Sequence, residues 1–147
     1  LITGQNPFST NLVAEEIVKS LGKTPVKRDK FKDELSLELV KKFILNDSIF
    51  AKKELQNNSD SFDLKLIASY GNLQAMHAKE DIEKLKKAVS IIELAIPYYF
   101  NEDLYIQLSE YYLKLGSKSN AVNTLNKILK KNPQSEKAIK SLGNLKK

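Results

Sequence analysis

Few residues in this 147-residue chain have the types and spacing that chemistry needs. His77 is the single histidine, with no second ligand or acidic partner on its own helix face, so it reads as a solvent-facing residue near a helix end. The carboxylate pairs Glu15-Glu16 and Glu80-Asp81 are adjacent residues, and neighbours on a helix point apart, which argues against general acid–base pairing. Ser9 has no base nearby in the sequence and stands just before an apolar run, where a hydroxyl serves as a helix cap. The chain has no cysteine, so thiolate nucleophiles, thiolate metal sites and disulfides are excluded. No glycine-rich loop is present to cradle a phosphate. The sequence makes no case for catalysis, a metal or a cofactor in this chain by itself, and what remains is recognition.

Charge narrows the partner. The formal net charge is +6, from 24 basic and 18 acidic residues, and Arg28 is the only arginine among them. Lysine interspersed with Glu and Asp marks a solvated helix surface. Nucleic-acid readers favour the bidentate arginine fork, so nucleic acid is not an expected partner. No apolar run approaches the ~18 residues of a membrane span, and no membrane partner is expected. The first residue is Leu rather than Met, which reads as a fragment or processed chain. A cytoplasmic location is therefore only a default, and an exported parent protein stays open.

The elements that must position any binding residues are helical from Phe31 onwards. Leu35, Leu39, Val40, Phe43 and Ile44 form one apolar face, interrupted at Asn46-Asp47-Ser48. Ile49, Phe50 and Leu55 mark a short helix, and residues 57–61 read as a polar loop. Leu64, Ile67, Tyr70 and Leu73 or Met76 start another helix, in which Gly71 suits close helix packing. A turn at 78–80 leads to the stripe Ile82, Leu85, Ala88, Val89, Ile92, Ala95 and Ile96, which Pro97 closes. Tyr98-Tyr99-Phe100 then either packs between hairpins or forms an exposed aromatic patch. From 102 to 135 the spacing predicts a hairpin: Tyr105, Leu108, Tyr112 and Leu115 on one helix, a turn at Gly116-Ser117, and Ala121, Leu125, Ile128 and Leu129 on the other, ended by Pro133.

That last hairpin resembles a tetratricopeptide repeat. Tyr105, Leu108, Ser109, Tyr112, Gly116, Ala121, Leu125 and Pro133 meet the 34-residue pattern, and Ile128 departs from it where a small residue is usual. A shift of 34 residues makes SEKAIKSLGNLKK the first helix of a further repeat or a capping helix, and the stretch from about 62 to 100 resembles a degenerate repeat. The resemblance implies an all-α fold of antiparallel hairpins stacked as a right-handed superhelix, because one hairpin cannot bury its own apolar face. It also implies that the first helices line a concave side that meets extended peptides. On that side stand Asp103, Ile106, Glu110 and Leu113, and in the last helix Lys140 and Asn144 at the spacing that carboxylate-binding repeats of this family use.

Residues 1–22 differ from the rest. Leu1-Ile2-Thr3 is a short β-type run, Gly4 and Asn6-Pro7 form turns, and Leu12, Val13, Ile17 and Leu21 give an amphipathic helix that Gly22 ends. Leu1, Thr3, Gly4, Asn6, Pro7 and Ser9 resemble the last strand and helix of the ThiJ/PfpI-like branch of the class I glutamine amidotransferase-like superfamily. The resemblance implies an α/β domain upstream that would hold the catalytic Cys, with Gly4, Asn6 and Ser9 lining a pocket in the intact protein. The expected organisation is an α/β remnant at 1–22, a basic linker at 23–30 and a helical domain at 31–147. The expected function is protein or peptide binding, self-docking onto the upstream domain or homo-oligomerisation, and the alternative is the tail of a ThiJ/PfpI-like hydrolase or chaperone-like enzyme.

Overall fold

The computed structural model describes residues 10–45 and 48–145, and the secondary structure of these residues is helical. In chain order the helices are α1 (Thr10–Ser20), α2 (Lys32–Ile44), α3 (Ser48–Asn58), α4 (Leu64–His77), α5 (Ile82–Ala95), α6 (Glu102–Lys114), α7 (Lys118–Lys131) and α8 (Glu136–Leu145). The expected strand at residues 1–3, and Gly4, Asn6 and Ser9 with it, lie outside the described residues. One expectation is corrected: Asn57 and Asn58 belong to α3, and Ser59–Ser61 form a single 3-10 turn rather than an open loop.

Side-chain caps set where the helices begin. Asp63, Asp81 and Asn101 each accept a hydrogen bond from a backbone N–H three residues on, at Leu66, Lys84 and Leu104. Ser135 does the same for Ala138. Each satisfies one of the four N–H groups that a helix start leaves without an intrahelical partner. Glycine sets two of the ends. Gly116 adopts φ +73°, its N–H donates to Leu113 O at 2.9 Å, and Ser117 N–H donates to Tyr112 O at 2.8 Å. Gly22 repeats the pattern at the end of α1, with φ +70° and bonds from Gly22 to Lys19 and from Lys23 to Val18. Both are Schellman ends, in which a left-handed residue lets the backbone fold back onto the last carbonyls.

Four residues join α4 to α5 and three join α6 to α7, so each pair packs as an antiparallel hairpin. The first helices of the hairpins, α4 and α6, lie side by side, and α8 adds a third beside α6. α2 leans on α4 and α5, with α3 folded back on it. The main core gathers around α5, which buries Leu85, Ala88, Val89, Ile91, Ile92, Leu94 and Ala95. A second cluster of Tyr105, Leu125, Ile128 and Ala138 joins α6, α7 and α8, with Phe100 packed on Tyr105 at a ring distance of 5.0 Å. Ser36 ties α2 to the start of α4: its hydroxyl donates to Lys32 O at 2.6 Å and accepts from Asp63 N–H at 2.8 Å, so this buried polar group is fully satisfied.

The spacing of the capping residues measures regularity. Asn101 and Ser135, which open α6 and α8, are 34 residues apart, whereas Asp63 and Asn101 are 38 apart. The segment from α6 to α8 keeps the period of its own sequence pattern. The α4–α5 hairpin is longer by one residue in α4, one in its turn and two in the link to α6.

α4 also corrects the expected core. Leu73 and Met76 are exposed at 49% and 62%, and the buried face is Ile67, Ala68, Gly71 and Ala75. The small residues bring α4 close to α5, and the large ones turn outward. Ile44, the α1 residues Leu12 and Ile17, and Leu21 just after α1 are likewise exposed, and α1 buries none of its side chains.

Candidate functional site

The first helices present a shared surface. Between α4 and α6 runs a shallow furrow of about 170 Å³, lined on one side by Lys65, Ser69 and Asn72 and on the other by Asp103 and Gln107. Helical spacing explains the set, because positions three and four apart stack on one face. Asn72 is held from beneath: Tyr111, buried, donates its hydroxyl to Asn72 Oδ1 at 2.9 Å. That bond occupies the amide oxygen, and the amide nitrogen donates weakly to Met76 Sδ at 3.9 Å.

α8 joins the surface through a charge pair. Lys137 Nζ lies 2.6 Å from the Asp103 carboxylate. The preceding residue, Glu102, accepts from Ser135 Oγ at 2.7 Å and from Asn132 Nδ2 at 3.1 Å, and these two bonds, in that order, hold its carboxyl below the usual range. The two adjacent carboxylates at the start of α6 thus anchor the start of α8, and Asp103 is not a bare acid.

The six residues expected on the concave face divide accordingly. Asp103 lines the furrow and is paired with Lys137. Ile106 is half-buried in the cluster beneath α8, and Leu113, at 38% exposure, lies on the same side of α6. Glu110 is exposed on α6. Lys140 and Asn144 are exposed on α8, one turn apart. Gln107, Lys65, Ser69, Asn72 and Lys137 were not singled out from the sequence. Lys137 had a readable signal, since it stands 34 residues after Asp103; the α4 residues had none, because α4 lies outside that period.

A second constellation lies at the other end of the chain, in the segment expected to be a basic linker. Arg28 forms a two-pronged pair with Glu34, both bonds 2.6 Å, and reaches Glu15 on α1 at 3.0 Å. Its guanidinium lies 5.3 Å from the centre of the Phe31 ring. Glu34 also accepts from the Phe31 N–H at 2.9 Å, which caps α2. The Arg28 hydrogen bonds foremost, and then the Phe31 N–H, hold the Glu34 carboxyl down at about 2, against the cost of burial. This is a structural clamp between α1, the linker and α2. Its one sequence signal is that the only arginine precedes a glutamate at the third position of a helix.

His77 is the exposed last residue of α4, and its Nδ1 donates to Leu73 O at 2.8 Å. No group of three His, Cys, Asp or Glu could hold a metal ion among the described residues. No described helix is long and apolar enough to cross a membrane. Tyr112 donates its hydroxyl to Glu93, and burial, then that bond, raise the phenol out of reach of ordinary titration. No protein-family model, curated protein or solved structure matches this chain.

Proposed function

We propose that the chain is a tetratricopeptide-like recognition module that binds an extended peptide across its first helices α4, α6 and α8. The observation that carries this reading is the polar furrow between α4 and α6, with α8 attached through Asp103 and Lys137. Its lining holds both donors and acceptors: Lys65 and Gln107 can donate to carbonyls, and Asp103 and the Gln107 oxygen can accept from N–H groups. An extended peptide offers both kinds along its backbone, so a rigid helical surface of this composition can hold main chain while flanking side chains such as Glu110, Leu113 and Lys140 select sequence.

The stacked hairpins supply the rigidity. Helices that already share a core lose little freedom on binding, which preserves affinity. The occupant is a separate protein or the chain's own upstream domain. A library of linear peptides displayed against the immobilised chain tests the site. The enriched peptides should lose binding to the paired variant Lys65→Glu with Gln107→Arg, and keep it to Lys86→Glu on the exposed face of α5. Failure to enrich any sequence, or binding indifferent to the furrow variant, rejects the reading.

A further inference from the structure

The outer side of α7 carries a different surface. α7 contains no acidic residue, and its lysines Lys118, Lys127, Lys130 and Lys131 make no ion pair among the described residues. Other helices pair lysine with a nearby acid, as in Lys19–Glu16, Lys84–Asp81 and Lys86–Glu83. A favourable helix C-terminus accounts for Lys130 and Lys131 in the last turn, but not for Lys127. Like charges three and four residues apart oppose helix formation, so this cluster is held at a cost.

Lys127, Lys130 and Lys131 border two hollows. A groove of about 680 Å³ runs along α7, lined by Tyr112, Asn120, Asn123, Lys127 and Lys130. A cleft of about 350 Å³ is lined by Pro97, Tyr98, Tyr99 and Phe100 from the link between α5 and α6, and shares Lys127 and Lys130 with the groove. Tyr98 is 42% exposed, and Tyr99 and Phe100 are half-buried. Lys131 Nζ sits 4.7 Å from the Phe100 ring centre, covering that ring. Glu93 accepts the hydroxyl of Tyr112, which lines the groove.

We propose that this outer face of α7 docks an acidic linear peptide bearing one apolar anchor residue. The anchor enters the cleft beside Tyr98, the acidic side chains meet Lys127 and Lys130, and the amides of Asn120 and Asn123 each offer one donor and one acceptor side to the peptide backbone. A nucleic acid fits less well: Phe100, the best stacking platform, is taken by Tyr105 and Lys131, and no arginine is present to grip phosphate in two-pronged fashion. The site is independent of the furrow on the first helices.

The test uses the whole chain and a fluorescent peptide of Glu and Asp around one central Phe, followed by anisotropy. Saturable binding is expected, weakening as salt rises. Lys127→Glu with Lys130→Glu should weaken it by about tenfold or more, since two attractive charges become repulsive. Tyr98→Ala, and the same peptide with Ala for Phe, should each weaken it several-fold. The furrow variant Lys65→Glu with Gln107→Arg should bind as the parent does, which separates this site from the first. Lys65, Tyr98, Lys127 and Lys130 are exposed and Gln107 is half-buried at the furrow, and an unchanged helical circular dichroism spectrum verifies the fold of each variant. No saturation up to about 1 mM peptide overturns the proposal. So does equal binding by the charge-reversed variant or by the peptide without Phe, and so does tighter binding of a generic DNA duplex than of the peptide.

Discussion

Gly71 faces Ile92 so closely that a methyl group on its Cα would stand 2.8 Å from Ile92 Cγ1 and 2.9 Å from the Ile92 backbone nitrogen. The α4–α5 pair is built on that approach. Gly71→Ala should therefore destabilise the protein by about 1–2 kcal/mol: meeting backbone as well as side chain, the overpacking costs about 2–3 kcal/mol, and the gain in helix propensity of about 1 kcal/mol offsets only part of it. Gly143, in α8, has nothing within 4 Å of its would-be Cβ, so Gly143→Ala should stabilise by about 0.5–1 kcal/mol. Urea unfolding of both variants checks the pair. Equal signs would mean that α4 and α5 are not in this register.

The close approach of α4 to α5 was partly legible in the sequence, because a glycine inside an otherwise apolar helix has few other reasons to be there. Its consequence for the core was not. The buried face of α4 reads weakly in hydropathy, being Ala68, Gly71 and Ala75, while Leu73 and Met76 advertise a core they do not enter. Polar burial was invisible for a related reason. Ser36 and Glu34 are buried because Asp63 N–H and Arg28 satisfy them, and those partners lie 27 and 6 residues away. The hairpin from α6 to α7 was legible almost completely, since Tyr105, Leu108, Tyr112, Ala121, Leu125 and Ile128 all combine helical spacing with true burial. At the candidate site, the α6 residues could be placed from their own helix. Their α4 partners could not, because α4 stands off the 34-residue period.

Ala121 has no exposed surface, in the hairpin of α6 and α7. Ala121→Glu places a carboxylate there with no partner. The cost of burying such a group exceeds about 4 kcal/mol unless the helices part. For a chain of this size that corresponds to a fall in melting temperature of about 10 °C or more. Ala121→Ser, which adds a hydroxyl able to bond the preceding turn, should lose much less. An unchanged melting temperature for the glutamate variant would remove α7 from contact with α6.

The clamp at Arg28 gives stability a defined acid dependence. Glu34 titrates at about 2 in the folded chain, against an ordinary value of 4.5. The unfolded chain therefore binds the proton first as pH falls. The stabilisation is fully present above about pH 4.5 and is lost as pH drops towards 2. It is on the order of 1–3 kcal/mol, allowing for the part of Arg28 that remains in solvent. Asp81 and Glu102 also sit below their usual range, so acid weakens the protein even without Glu34. The informative quantity is the difference between parent and Glu34→Gln. It should be largest at neutral pH and shrink below pH 4.5, measured by urea unfolding across that range. A constant difference would show that Arg28 does not depend on the Glu34 charge.

α1 is held by less than any other helix. It buries no side chain, its Leu12 and the following Leu21 are exposed at 59% and 69%, and one polar tie to the rest runs from Glu15 to Arg28 at 3.0 Å. Opening α1 therefore exposes little apolar surface, whereas opening α5 uncovers the main core. In the monomeric chain, the amides of α1 should exchange hydrogen through local opening at no more than about 2 kcal/mol, while those of Leu85–Ala95 follow global unfolding. Arg28→Met should speed exchange in α1 further and leave Leu85–Ala95 nearly as slow as before, apart from the loss of the clamp at α2. A partner that covers Leu12, Ile17 and Leu21 would slow α1 selectively, so the same measurement on a longer chain reports whether that face is docked. Exchange in α1 as slow as in α5, in the monomer, would mean that α1 is part of the core after all.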